Sequence, residues 1–317
     1  MRLLQVCNVG TAVGGTGGCV AAVCRALPNV RHAVRVFGHV HADFPAALGT
    51  QDVAPVSTLS PTLCERYDAV LMHNTPPHRV SGRPRCPTVQ YVHSDGSRIA
   101  ADVTVACSHW LAARRGRGEA VLWQSVPATP PPRPDTRSLR DGLLIGRLCT
   151  PAPAKWPPEL ADFYAALSAS QKSLQFEFVG CPTSLQSSLH KACGGRASFL
   201  PAGPAARQHL ARWDVLLYAN RRLPETFGRT VAEAMRAGCV PLVDDLGGFR
   251  EQLDAGGGVL CRTVGDFARA LTRLHDAGLR RRMALRAMMV ADERFSEAAF
   301  RGRLKSLLAK IGVEGRA

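Results

Sequence analysis

The chain has 317 residues, 46% hydrophobic and 21% charged, the balance of a soluble globular protein with room for two cores. Its formal net charge of +15, from 40 Lys and Arg against 25 Asp and Glu, points to an acidic partner: nucleotide phosphates, an anionic lipid surface or nucleic acid. No run of about 18 apolar residues occurs, and "MRLLQVCNVG" is too short a start for a secretory signal, so neither a membrane span nor export is expected.

Residues 2–7 predict a strand and 19–27 a helix stopped by Pro28. Between them lies "VGGTGGC", 13–19, where a phosphate is held in many α/β proteins. It is not a dinucleotide fingerprint: counting from Gly15, Val20 stands where the third glycine belongs, and no acid ends the second strand. A P-loop lysine is missing too, so a nicotinamide oxidoreductase is disfavoured while close backbone approach to a ligand stays open. "VRVFG", "YDAVLMH", "TVQYV" and "VTVAC" predict further strands up to Cys107. "VPATPPPRPDT", 126–136, predicts a linker.

After the linker the alternation restarts. "GLLIGRL" predicts a strand, followed by a helix from Glu159, the strand "LQFEFVG", a helix near 184–193 and the strand "DVLLY". Thr230 to Ala237 predicts a helix ended by Gly238 and Pro241, then "VPLV" a strand, then helices from Val264 on. Phe300, Leu304, Leu307, Leu308 and Ile311 give a last amphipathic helix. Repeated strand–helix alternation on both sides of a proline linker predicts an α/β protein of two Rossmann-like doubly wound domains facing a cleft. The expected bounds are 1–126, a linker over 127–140, 141–294, and a closing helix over 295–317.

Eleven cysteines without a CxxC pair predict reduced, buried thiols and a cytoplasmic protein. His190 and Cys193 with Cys181 fit no zinc spacing, so no metal site is expected. From Arg280 to Ala317 ten Lys and Arg face four Asp and Glu, and "ARRGRG", 113–118, adds a second basic cluster. No zinc-finger pair or RNP-like aromatic run accompanies them.

Polar chemistry concentrates in two places. "LLIGRLCTPAPAKW" puts Arg147 at the carboxyl end of a strand and Lys155 in the loop beyond, two cations suited to a diphosphate. "PETFGRTVAEAMRAG" puts Glu225 in the entry loop of a helix and Glu233 about two turns inside it. A lone glutamate there is ordinarily a solvated face; beside a helix start with unpaired N–H groups it can also hold a polar ligand.

Together these stretches resemble the GT-B glycosyltransferases of family four, the retaining nucleotide-sugar enzymes. "VGGTGGCV", "LMHNTPP", "TVQYVHSDGS", "VTVACSHWLAARRG", "IGRL…K", "FVG", "ETFGRTVAEAMRAG" and "GGFREQL" carry the resemblance in order along nearly the whole chain. It implies a GT-B fold whose last helix crosses back to the first domain, and transfer of a hexosyl or other sugar from a nucleoside diphosphate with retention. Within it, Arg147 and Lys155 match the pair that neutralises the departing diphosphate. Glu225 matches the glutamate on the donor sugar, Glu233 the one on the ribose, and His93 the histidine closest to the reacting carbon. Gly15, Thr16 and Gly17 match the first glycine loop, and the backbone of Phe227, Gly228 and Arg229 lies against sugar and phosphate. No cofactor and no metal are implied, because two cations already offset the diphosphate and no Asp-x-Asp is present. The short first domain leaves the acceptor open, with DNA or an anionic lipid surface among the acidic candidates and attachment to the inner membrane surface an option. The rivals are the same transfer to hydroxymethylated DNA bases and an inactive binding scaffold.

Overall fold

The computed structural model describes residues 1–96, 99–116, 118–128 and 142–313. Beyond Ala128, the linker expected over 127–140 lies outside the described residues. The chain divides into two compact units, Met1–Val126 with Arg294–Ala317, and Pro127–Glu293.

The first unit runs β1 (Arg2–Cys7), α1 (Gly15–Ala26), β2 (Arg31–Val36), α2 (Phe44–Leu48), β3 (Val53–Pro55), α3 (Pro61–Cys64), β4 (Ala69–His73), β5 (Thr88–Val92), β6 (Val103–Ala106), α4 (His109–Arg115) and β7 (Ala120–Val121). Its sheet has the order β3-β2-β1-β4-β5-β6-β7, every pair parallel. The central strands β1, β4 and β5 are buried on both faces, which is why they read as apolar runs rather than alternating ones. Leu4, Val6, Val70 and Met72 form one core; Cys7, Val34 and Val36 pack with Val20, Ala21 and Cys24 in another.

The second unit runs β8 (Leu144–Leu148), a 3-10 turn (Pro153–Lys155), α5 (Leu160–Ser170), β9 (Gln175–Val179), α6 (Thr183–Ala192), β10 (Ala197–Leu200), a 3-10 stretch (Pro204–Ala211), β11 (Val215–Tyr218), α7 (Arg229–Arg236), β12 (Val240–Asp244), α8 (Phe249–Leu253), β13 (Val259–Cys261), α9 (Val264–Leu274) and α10 (Ala277–Phe295). Its sheet order is β10-β9-β8-β11-β12-β13, again parallel throughout. Both sheets therefore carry the order 3-2-1-4-5-6 of a doubly wound fold, the first with one strand more.

α11 (Glu297–Lys310) belongs to the first unit. Phe300, Leu304, Leu307 and Leu308 are buried, as the apolar spacing predicts. Ile311 is only half-buried and Val313 takes its place in the core. Arg301 Nε donates to the Ala26 carbonyl at 2.9 Å, which ties α11 to α1. The Trp123 ring is faced by the Arg294 and Arg303 guanidinium groups, each 5.6 Å from its centroid.

Two local expectations shift. The first helix begins at Gly15, not at residue 19, so Gly15, Thr16 and Gly17 form its first turn instead of a loop. The reason is Gly14 at φ 95, which makes the left-handed turn that admits the helix early. The second strand covers 31–36 rather than 34–38, because Phe37 and Gly38 already turn away, Gly38 at φ 141.

Gly146 in β8 lies flat against the fully buried Trp213, and a Cβ there would sit 1.8 Å from the indole. The indole cannot retreat freely, since its Nε1 donates to Glu177 at 2.7 Å. Gly146→Ala should therefore destabilise the second unit by about 1–3 kcal/mol, as overpacking does. Urea unfolding checks this, and an unchanged midpoint would contradict it.

Candidate functional site

In a doubly wound sheet the crevice beyond the carboxyl ends opens where the strand order reverses. That point is β8/β11 in the second unit and β1/β4 in the first, and the polar side chains collect at both.

At β8/β11 the base of the site is Arg147, fully buried. Its Nη1 donates to the Ala219 carbonyl at 3.2 Å and its Nη2 to the Lys155 carbonyl at 2.8 Å. The guanidinium lies between two rings, 5.1 Å from the Trp156 centroid and 4.7 Å from that of Tyr218. Among the described residues no carboxylate forms an ion pair with it. The loop 149–156 is held further by Asn220 Nδ2, which donates to the Ala154 carbonyl at 2.8 Å, and by Trp156 Nε1, which donates to the Thr150 carbonyl at 2.9 Å.

Above this base, Lys155 and Glu225 form an ion pair, and the Tyr218 hydroxyl donates to the same carboxylate oxygen. Burial pushes the Tyr218 hydroxyl far up, so it stays a protonated donor. The Lys155 and Glu225 side chains remain 26% and 17% exposed, open to a ligand where Arg147 is not. The sequence grouped Arg147 with Lys155 as two equivalent cations; the structure places one beneath the other.

The Glu225 loop is set by packing. Gly247, at φ +63, lies so close that a Cβ would stand 2.5 Å from the Glu225 carbonyl oxygen, and Gly248 N donates to that oxygen at 2.8 Å. Gly228 caps α7 in the left-handed conformation, with the Phe249 ring where its side chain would be. Gln252 Nε2 donates to the Phe227 carbonyl, and the Phe227 ring is buried, so only its backbone faces outward chemistry.

Glu233 is buried on α7, 2% exposed. Its Oε1 lies 2.8 Å from Arg207 Nε and 3.5 Å from Arg229 Nη2, the latter one helical turn before it. Arg229 thus turns inward to Glu233, and Arg207 of the 3-10 stretch, partly exposed, covers the carboxylate. Arg207, Tyr218, Asn220 and Trp156 were not singled out from the sequence. Tyr218 had a signal, a polar tip ending the strand "DVLLY"; Arg207 had none.

At β1/β4 the groups are neutral. Gln5 Nε2 donates to Cys24 Sγ at 3.1 Å, and Gln5 Oε1 meets His73 Nε2 at 3.0 Å. His73 Nδ1 meets His93 Nε2 at 2.9 Å, and His93 Nδ1 meets Gln124 Nε2 at 3.0 Å. One assignment satisfies all four contacts: His73 carries its proton on Nε2, and His93 donates from Nε2 and accepts at Nδ1. Burial holds the His73 pKa down to about 3, so it stays neutral. The His93 amide donates to Asn74 Oδ1 at 2.7 Å, from a residue at φ 48. Asp95 pairs with Arg114 at the surface, 2.9 Å apart. Of the first glycines, Gly17 approaches the chain's own Thr11 carbonyl, where a Cβ would lie 1.8 Å from the oxygen, while Gly15 has open space around it. His190, Cys181 and Cys193 form no candidate metal group among the described residues; Cys19, His73 and His93 do.

Because Arg147 bridges two main-chain carbonyls, its loss should act on the fold as well as on binding. Arg147→Met should cost about 2 kcal/mol or more, since two main-chain carbonyls lose their donor. Lys155→Met, at the partly exposed end, should leave stability within about 0.5 kcal/mol. Thermal unfolding of both variants checks the order, and equal stability of the two would overturn the assigned layering.

Residues 140–277 match the family described as "Glycosyl transferases group 1". No curated protein sequence matches the chain. Among solved structures, the Anabaena protein Alr3699/HepE in complex with UDP superposes with a TM-score of 0.78 at 19% identity, over 98% of this chain and 100% of that one. Its complex with UDP-glucose gives 0.78 at 18% identity with the same coverage. A glycosyltransferase from Rickettsia africae gives 0.76 at 13% identity over 99% of each chain. Sucrose-phosphate synthase from Thermosynechococcus elongatus gives 0.72 at 15%, over 98% of this chain and 99% of that one. Residues 140–277 thus resemble the group 1 glycosyl transferases, and the chain has the GT-B fold of two parallel-sheet α/β domains.

Proposed function

We propose that this protein transfers a sugar from a nucleoside diphosphate to a hydroxyl with retention and without a divalent metal. The observation that carries the proposal is the layered cation site, with Lys155 held at Glu225 over a buried Arg147 that no carboxylate pairs with among the described residues. A buried cation without a counter-ion favours an anion brought close to it. The UDP and UDP-glucose complexes of the Anabaena protein support a nucleoside diphosphate as that anion.

In this reading Lys155 meets the diphosphate directly. Arg147 supplies charge from below and fixes the Lys155 backbone. Glu233 takes the ribose hydroxyls once Arg207 moves aside, and Glu225 takes hydroxyls of the transferred sugar. The backbone of Phe227, Gly228 and Arg229, at the start of α7, lies against sugar and phosphate. In the first unit, Gly15, Thr16 and Gly17 keep the role of first glycine loop that the resemblance gives them. His93 keeps the role the resemblance gives it at the reacting carbon, with both ring nitrogens engaged inside the chain. Retention proceeds by front-face attack, the leaving phosphate taking the acceptor proton while the protein positions and stabilises charge. The charge of +15 supports an anionic acceptor, DNA or a lipid surface. Among the described residues no helix is long and apolar enough to cross a membrane.

The two glutamates separate the roles. Glu233→Ala should raise the donor KM, leave kcat within a few-fold, and weaken free nucleoside diphosphate. Glu225→Ala should lower kcat while free nucleoside diphosphate binds at least as well, since Lys155 then loses its carboxylate. Lys155→Met should reduce turnover by roughly 10²–10³, and a chelator should leave wild-type turnover unchanged. Calorimetric titrations with nucleoside diphosphate and with nucleotide sugar, beside rate measurements, give the comparison. Loss of nucleotide affinity in Glu225→Ala but not in Glu233→Ala would reverse the assignment.

A further inference from the structure

We propose that the first unit contains a binding site for a thiophilic transition metal, zinc first among them, formed by Cys19, His73 and His93. Cys19 Sγ and one ring nitrogen from each histidine lie within 4.8 Å of one another, and all three residues are buried. They come from three separate elements: Cys19 from α1, His73 from the last position of β4, and His93 from the residue after β5. The register of β4 on β5, His73 opposite Tyr91, fixes the spacing of the two histidines.

The ring nitrogens facing away from the group are already engaged. His73 Nε2 meets Gln5 Oε1 and His93 Nδ1 meets the Gln124 amide. A ligating histidine ordinarily donates its remote N–H to such an outer partner, which fixes the ring and its tautomer. What remains is His73 Nδ1 and His93 Nε2, 2.9 Å apart with one proton between them. Zinc would replace that proton. With bonds of about 2.0 Å to nitrogen and about 2.3 Å to sulfur, a tetrahedral site needs about 3.3 Å between nitrogens and about 3.5 Å from nitrogen to sulfur. The imidazoles must part by a few tenths of an ångström and the thiol must close by at most about 1.3 Å.

The protons balance. His73 keeps Nε2–H on Gln5. His93 moves its proton from Nε2 to Nδ1, and the Gln124 amide turns to present its oxygen. The Cys19 thiol gives up its proton to solvent, so one proton is released for each metal bound. Three protein ligands leave one position for water or an external donor. A Cys-His-His set is the soft, mixed donor set that selects zinc, cobalt or copper over magnesium. The metal would staple the start of α1 to the ends of β4 and β5. The site uses none of the diphosphate-binding residues but shares His93 with the sugar end of the proposed transfer, so its test reads metal binding and not turnover.

The test is titration of the full-length, reduced protein with Zn(II) and with Co(II). The expected result is one Zn(II) bound per chain, with one proton released and a raised unfolding temperature. Co(II) should give the thiolate-to-metal charge-transfer band and the strong visible bands of tetrahedral coordination. Cys19→Ser should remove the charge-transfer band and weaken Zn(II) at least about 100-fold, and Gln5→Leu should weaken it roughly 10–100-fold while keeping the band. Wild-type protein that binds no Zn(II) would overturn the proposal, as would a charge-transfer band that survives Cys19→Ser. Should Cys19→Ser fail to fold, proton release by wild-type protein still decides, because a site without the thiol releases none.

Discussion

Everything in the second unit's site rests on a guanidinium placed in a core. Arg147 occupies a strand position whose neighbours Ile145 and Leu148 are apolar and buried, and it is fully buried itself. Such a charge costs several kcal/mol unless its donors are used. Here two donors go to main-chain carbonyls and the planar faces go to Trp156 and Tyr218. Those carbonyls belong to Lys155, in the loop after β8, and to Ala219, the first residue after β11, so the two bonds also fix both loops. Lys155, Glu225 and Tyr218 inherit their positions from it. An arginine suits this place because its fork reaches two acceptors at once; a lysine ammonium on a flexible stem has no such geometry.

The two units share a strand order and differ in the chemistry set at the reversal point. In the second unit ionised groups meet in unequal numbers, with Arg147 beneath the Lys155–Glu225 pair and two arginines on one oxygen of Glu233. In the first unit a chain of neutral groups runs from Gln124 through His93, His73 and Gln5 to Cys24, each donor matched to an acceptor. A net-charged site attracts an anion over distance. A matched neutral chain holds rings in one orientation. The same fold position thus carries fixed charges in one unit and preorganised lone pairs in the other.

Glycine shows the same division of labour. Gly146, Gly17 and Gly247 each admit another part of the chain: an indole, the Thr11 carbonyl and the Glu225 backbone. Read as sequence, a glycine beside a strand end suggests room for a ligand. In these three places the room is already taken by the protein, and what the glycine secures is the position of that neighbour, Glu225 among them.

By itself the sequence determined the doubly wound class, the central strands and the long helices, because strands buried on both faces are continuous apolar runs and the helices carry a 3.6-residue stripe. The four strands it did not reveal, β3, β7, β10 and β13, are the edges of the two sheets. They are two to four residues long and only partly buried, so neither length nor pattern marks them. Arg147, Lys155, Glu225 and Glu233 were legible as a set, since strand-end cations and a glutamate pair around a helix start leave local signals. Their ranking was not: which cation is sealed in and which is open depends on Trp156, Tyr218 and Asn220, brought together by strand pairing from distant parts of the chain. The grouping of Cys19 with His73 and His93 was equally invisible, because no spacing along the chain records it; the parallel register of β4 on β5 and the docking of α1 decide it.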